Sequence, residues 1–139
     1  MRIALLVLSA LVLAACSSGS QSLSVADGDI SVPLAELDGG KALHYSVDID
    51  GKPVRFFLLK TPDGVARAAF DACDVCYQEK KGYSQNGEYM VCNNCGQRFH
   101  ASRINEVRGG CNPAPLERSV VGDKIVLRAE DLRQGSKYF

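Results

Sequence analysis

Two C-x-x-C pairs, Cys73/Cys76 and Cys92/Cys95, are separated by fifteen residues that contain an Asn86-Gly87 dipeptide. If four thiols that far apart are to meet, the segment between them must fold back on itself, and Asn-Gly is the strongest short hairpin signal. In each pair, two intervening residues let both sulfurs converge on one ion while the N–H groups of the turn point back at them. The spacing lies in the range of four-thiolate sites. Gly96, directly after Cys95, suits the tight bend of such a knuckle, which often requires a positive φ. Zinc, mononuclear iron and an iron-sulfur cluster fit four thiolates almost equally.

Two other chemistries compete with metal binding. A redox C-x-x-C normally sits at a helix N-terminus that lowers the thiol pKa, whereas "YQEKKGYSQNG" after Cys76 and the glycine after Cys95 do not sustain a helix. A disulfide within either pair would close a very short, strained loop. Pairing across the knuckles, such as Cys73 with Cys92, is geometrically easier and stays open.

Other residues near the knuckles have both a functional and a plain reading. Cys111, in "GGCNP", is either an extra or exchangeable ligand or a small buried turn residue. His100 offers a mixed site if one cysteine is not a ligand, against an exposed side chain alternating with buried Phe99. His44 is expected on the polar face of a strand without partners, and Met90 as packing rather than a soft copper ligand. Asp71 and Asp74 flank the first knuckle and are read by default as solvated loop carboxylates.

The N-terminus places the chain outside the cytoplasm. Arg2 followed by apolar runs reads as a secretion signal over residues 1–15, too short for the ~20 residues that span a bilayer. "LAAC", Leu13 to Cys16, looks like a bacterial lipobox, with Cys16 as the lipid-modified first residue of the mature chain and multiple acyl chains giving stable anchorage. Ser17 at the following position favours the outer membrane. Residues 16–29 are read as a flexible tether, and residues 30–139 as one domain.

Acylation of Cys16 takes one of six cysteines out of the thiol count, and the remaining five cannot all pair within one chain. The chain has sixteen basic and sixteen acidic side chains. With no block of basic residues, it carries no footprint for nucleic acid.

The expected fold class is mainly β, a small domain with cysteine knuckles on its loops and one or two short helices. Leu43, Tyr45, Val47 and Ile49 alternate with polar residues, and Asp50-Gly51 turns the chain into a second strand over Val54–Lys60. "FFLL" within that strand is apolar on both faces, as expected of a central strand covered on each side. "TPDG" makes the next turn, and a third strand, Val65–Phe70, leads to Cys73. Gly82–Gln85 is expected to fold onto Glu88–Val91. A short helix is expected between Ser102, as its N-cap, and Gly109. "CNPAP" is turn chemistry, followed by strands over Glu117–Val121 and Lys124–Arg128 and a helical turn over "AEDLRQG".

The stretch "DACDVCY…KGYSQNGEYMVCNNCGQRFHASRI…GGCNPAPL", with "FFLLKTPDGVARAAFDAC" before it and a terminal "YF", resembles the FtrD-like family of membrane iron-sulfur proteins. The family is named for a component of bacterial ferrous-iron uptake systems. The resemblance implies an extracytoplasmic domain that binds iron or an iron-sulfur cluster and works beside an iron permease or a redox partner. Its candidate ligands are Cys73, Cys76, Cys92, Cys95 and Cys111. Longer members have transmembrane helices, which the lipid anchor replaces here.

These features favour a non-enzymatic, lipid-anchored, periplasm-facing protein in electron transfer or metal handling. The alternatives are a structural zinc ribbon or a thiol-disulfide oxidoreductase. No Ser/His/Asp triad, phosphate loop or paired-carboxylate pattern competes with them.

Overall fold

The computed structural model describes residues 21–23 and 28–139. The signal segment and Cys16 lie outside the described residues. Among the described residues, ten strands form three sheets. The first sheet has the order β1-β3-β4-β5, with β1 Gln21–Leu23, β3 Leu43–Ile49, β4 Lys52–Lys60 and β5 Ala66–Phe70. The second has the order β2-β10-β9, with β2 Ile30–Pro33, β10 Lys124–Leu127 and β9 Ser119–Val121. The third has the order β6-β7-β8, with β6 Tyr83–Asn86, β7 Tyr89–Cys92 and β8 Arg98–His100. The α-helix α1 Ala129–Gln134 and a 3-10 turn over Gly135–Tyr138 follow β10.

The mainly β class is as expected. β4 is the divider its sequence implies: Phe56, Phe57 and Leu58 are 0% exposed and Leu59 is 1% exposed. Because strand side chains alternate between faces, Val54, Phe56 and Leu58 enter one core with Tyr45, Val47, Leu116, Ile125, Leu127 and Leu132. Phe57 and Leu59 enter a second core with Tyr83, Met90, Ile104, Cys73 and Cys92. Each fully buried side chain of this kind contributes roughly 1.5–3 kcal/mol. Both cores therefore depend on the register of β4.

Several elements differ from expectation. Gln21–Leu23, within the segment read as a tether, is a strand that pairs parallel with Tyr45–Val47, and Leu23 packs against the first core. The rest of that segment up to residue 27 lies outside the described residues. β8 was not anticipated. It completes the third sheet by pairing with β7, with Met90 opposite Phe99.

The Asn86-Gly87 hairpin forms, but its turn residues are Gly87 and Glu88, and Asn86 pairs with Tyr89. Moving the turn by one residue moves each strand partner by two, so every side chain keeps its face. This register places Tyr83 opposite Cys92.

The expected helix from Ser102 to Gly109 is replaced by one 3-10 turn over Ala101–Arg103, and its N-cap is His100 rather than Ser102. Ile104, in extended conformation, ends it, and Asn105 follows with φ 72°. Its amide oxygen accepts from Ala68 N–H at 3.1 Å, and its amide nitrogen donates to the Ala68 and Leu116 carbonyls at 2.8 and 3.2 Å. Three hydrogen bonds to extended backbone outweigh the weak helical preference of this segment.

Gly135 is buried and packs directly on the Phe70 ring, so a methyl group at its Cβ would overlap the ring. Gly135→Ala is expected to destabilise the fold by about 1–3 kcal/mol, the usual cost of overpacking. In urea this appears as a lower midpoint at unchanged slope. An unchanged midpoint would show that Phe70 yields.

Candidate metal centre

Three separate segments bring cysteines together beside the second core. The first knuckle follows β5, from which Asp71 and Ala72 lead into Cys73-Asp74-Val75-Cys76. The Cys76 N–H donates to the Cys73 sulfur at 3.1 Å, which is the N–H-to-sulfur contact expected of a knuckle. A single 3-10 turn over Tyr77–Glu79 follows.

The second knuckle joins β7 to β8. The Gly96 N–H donates to the Cys92 carbonyl at 2.8 Å, and the Cys92 N–H to the Gln97 carbonyl at 2.9 Å. Gly96 adopts φ 75°, as the sequence implied. Neither knuckle opens an α-helix, so the dipole that activates a redox C-x-x-C is missing here.

Cys111 arrives on the "GGCNPAPL" segment. Gly109 and Gly110 both have positive φ, 84° and 62°, and two such residues in succession bend the chain into Cys111. Beyond it, the segment runs along the edge of β5. Ala114 N–H donates to the Ala72 carbonyl at 2.9 Å, Phe70 N–H to the Ala114 carbonyl at 2.8 Å, and Leu116 N–H to the Ala68 carbonyl at 3.1 Å. Pro113 and Pro115 have no N–H to leave unpaired, so the Pro-Ala-Pro pattern matches an edge that needs only alternate donors.

The described cysteines are free thiols: Cys73 and Cys92 are buried, Cys76 and Cys111 half-buried, and Cys95 exposed. Two groups of sulfurs lie mutually within 4.8 Å, one of Cys73, Cys76 and Cys111 and one of Cys76, Cys92 and Cys95. The four thiols of the two C-x-x-C pairs do not close as a single group. Cys111 joins the cluster in its place beside Cys73, and Cys76 belongs to both groups. The Cys76 and Cys111 sulfurs are 3.8 Å apart, about the 3.8 Å edge of a tetrahedron whose metal–sulfur bonds are ~2.3 Å. The donor set and its spacing therefore fit a thiolate-bound ion.

The protons are divided unevenly among these thiols. Burial opposes ionisation of Cys73, but the Tyr83 hydroxyl and the Cys76 and Val75 amides outweigh it and hold its pKa below the usual thiol value. Cys95 is lowered first by the Gln97 N–H. Burial pushes Cys92 up to about 11. Cys111 is pushed up to about 12 by desolvation, then by the Cys95 and Cys76 sulfurs. Crowded thiolates repel one another, so only some ionise unaided. A bound cation reverses this, because a coordinating thiol is deprotonated outright.

Other residues take places that the sequence left open. His100 stands opposite Tyr89 at the turn end of the hairpin, while Cys92 lies at the other end. Its Nδ1 accepts from the Ser102 N–H at 3.3 Å, and its Nε2 faces Glu88 at 3.8 Å, so it is not gathered with the cysteines. His44 does have a partner, with its Nδ1 4.0 Å from Asp71. Asp71 is not a solvated carboxylate, since it is largely buried and accepts from the Tyr83 N–H at 2.7 Å. Asp74 accepts from the Tyr138 hydroxyl at 2.7 Å, tying the C-terminus to the first knuckle. Met90 is fully buried in the second core.

Sequence reasoning missed Tyr83 and Asn93. The Tyr83 hydroxyl donates to the Cys111 carbonyl at 2.6 Å. Asn93 holds the second knuckle to the segment before β6, donating from its backbone to the Gly82 carbonyl at 3.0 Å and from its side chain to the Lys81 carbonyl at 2.9 Å. A tyrosine or asparagine beside a cysteine gives no signal of this kind until the hairpin register is known.

This arrangement defines a small β domain built around a cluster of cysteines able to hold metal. The chain belongs to the family described as membrane iron-sulfur containing protein FtrD-like, whose family model matches residues 37–139. No curated protein and no solved structure matches it. No helix among the described residues is long and apolar enough to cross a membrane.

Tyr83→Phe removes the donor to the Cys111 carbonyl and the hydroxyl beside Cys73. It is expected to weaken metal binding by ~10–100-fold, the usual cost of losing a residue that orients a ligand, at unchanged metal stoichiometry. Competition against a chromophoric chelator measures this, and an unchanged affinity would remove Tyr83 from the centre.

Proposed function

We propose that this protein is a lipid-anchored, periplasm-facing iron-thiolate protein that transfers electrons or handles iron in ferrous-iron uptake, beside a permease or a redox partner, without catalysing a reaction itself. The observation that carries the reading is the convergence of five free thiols into two groups that share Cys76. Soft thiolate sets of this kind select iron-sulfur units, zinc or Cu(I), and membership of an iron-sulfur family favours iron.

The graded exposure of the ligands suits exchange with a partner. Cys73 and Cys92 anchor the centre in the second core, while Cys95 faces solvent. Val75, inside the first knuckle, is also exposed, which gives a partner an apolar contact beside the sulfurs. Iron bound by Cys73, Cys76, Cys92, Cys95 and Cys111 would supply the one-electron couple. The chain's own part is to hold these sulfurs in place, keep one side of the centre dry and leave the other open. The LAAC motif at Leu13–Cys16 supports the lipid anchor, and Ser17 the outer membrane.

Elemental analysis and thiol counting on the full chain isolated from its native membrane test this reading. Iron with thiolate-to-iron charge-transfer absorption is expected. Stoichiometric zinc without visible bands would overturn the iron assignment in favour of a zinc ribbon.

A structural zinc site also makes the fold depend on metal. Here the first core contains no cysteine. Chelation is therefore expected to leave the far-ultraviolet circular dichroism of the β domain in place while releasing the metal. Loss of that spectrum on chelation would count for the structural role.

A further inference from the structure

We propose that the five thiolates form a centre for two thiophilic divalent ions, in which Cys76 is a ligand to both. The inference rests on the metal-binding reading above and concerns the number of ions and the role of one residue. It starts from the mismatch between five sulfurs and the four that a single tetrahedral ion requires; with Cys76 shared, each of two ions takes three sulfurs and leaves its fourth position to solvent.

Sulfurs bound to one tetrahedral ion through bonds of ~2.3 Å stand about 3.8 Å apart. Each group of three, Cys73/Cys76/Cys111 and Cys76/Cys92/Cys95, already lies within 4.8 Å, so either closes on an ion with shifts of at most about 1 Å. The two C-x-x-C pairs do not close on one ion in the same way. Cys76 is the residue that both groups need, and it is half-buried, whereas Cys73 and Cys92 are buried and Cys95 is exposed.

Charge favours the same count. Five thiolates around one divalent ion leave about three negative charges uncompensated, whereas two ions leave about one, and bound cations are the largest local charges in such a site. Each thiol that binds gives its proton to solvent. The local support is also doubled. Tyr83 and the β5 edge hold the Cys111 side, while Asn93 and Gly96 hold the Cys92/Cys95 side.

The test is titration of the metal-free, reduced full chain in mild detergent with Cd(II), followed by native mass spectrometry and cadmium NMR. Two Cd(II) per chain are expected, with scalar coupling between two cadmium resonances through the shared sulfur. Cys111→Ser and Cys95→Ser, at the accessible ends of the two groups, are each expected to retain one tightly bound ion. Cys76→Ser is expected to weaken both by ~100-fold or more, at least the loss that follows removal of a supporting partner.

Saturation at one ion, or two resonances without coupling, would overturn the proposal. So would two irons with acid-labile sulfide in the native protein, since sulfide would then be the bridge. Native protein that lacks iron but takes up two coupled Cd(II) would refute the iron assignment and leave this inference standing. Native protein with iron that saturates at one Cd(II) would refute this inference alone.

Discussion

The burial of β4 on both faces is the constraint on which the rest of the molecule depends. Its neighbours β3 and β5 lie antiparallel on either side, and its alternate residues feed two cores that share no side chain. A slip of one residue would exchange Phe56 and Leu58 with Phe57 and Leu59 and remake both cores. The first core, closed by the β2-β10-β9 sheet and α1, is an ordinary apolar interior. The second is where Cys73 and Cys92 are held, so the rigidity of the cysteine cluster derives from Phe57, Leu59 and Met90.

Around that core, the cluster is positioned by backbone and polar contacts on every side. Ala114, between two prolines, fastens the Cys111 segment to β5, Asn93 fastens the second knuckle to the approach to β6, and Tyr138 fastens Asp74 of the first knuckle. Arg67, itself buried, donates to the Ile104 carbonyl at 2.8 Å and pairs with Asp63 at 2.9 Å. It thereby ties β5 to the chain that leads towards Cys111. A buried guanidinium is tolerated because its donors are occupied. These contacts bring sulfurs so close together that only some of the thiols ionise until a cation binds, which is the electrostatic setting of a metal site rather than of an inert core.

Much of the β framework was legible because period-two alternation and turn residues are local signals. β3, β4, β5, the Asp50-Gly51 turn, β10 and the terminal helix follow from them. The failures have nonlocal causes. β8 is three residues long and exists because β7 offers it an edge. The helix expected after Ser102 gives way because Asn105 finds backbone partners on β5 and at Leu116. Gln21–Leu23 reads as linker by composition but pairs with β3.

The candidate centre divides in the same way. Residue type, C-x-x-C spacing and the glycine after Cys95 were enough to name Cys73, Cys76, Cys92 and Cys95 as convergent thiols, because a knuckle is built from adjacent residues. Its own segment left Cys111 open between an extra ligand and a turn residue, and the family resemblance counted it among the ligands. Which sulfurs stand together was decided only by tertiary structure: the two-residue shift in strand pairing about the Gly87-Glu88 turn, and the docking of the Pro-Ala-Pro segment on β5. Together they place Cys76 in both groups, move His100 to the opposite end of the hairpin and bring Tyr83 against Cys111. Local sequence determines what each segment can become, but distances between sulfurs depend on how segments far apart in the chain pack across β4 and β5.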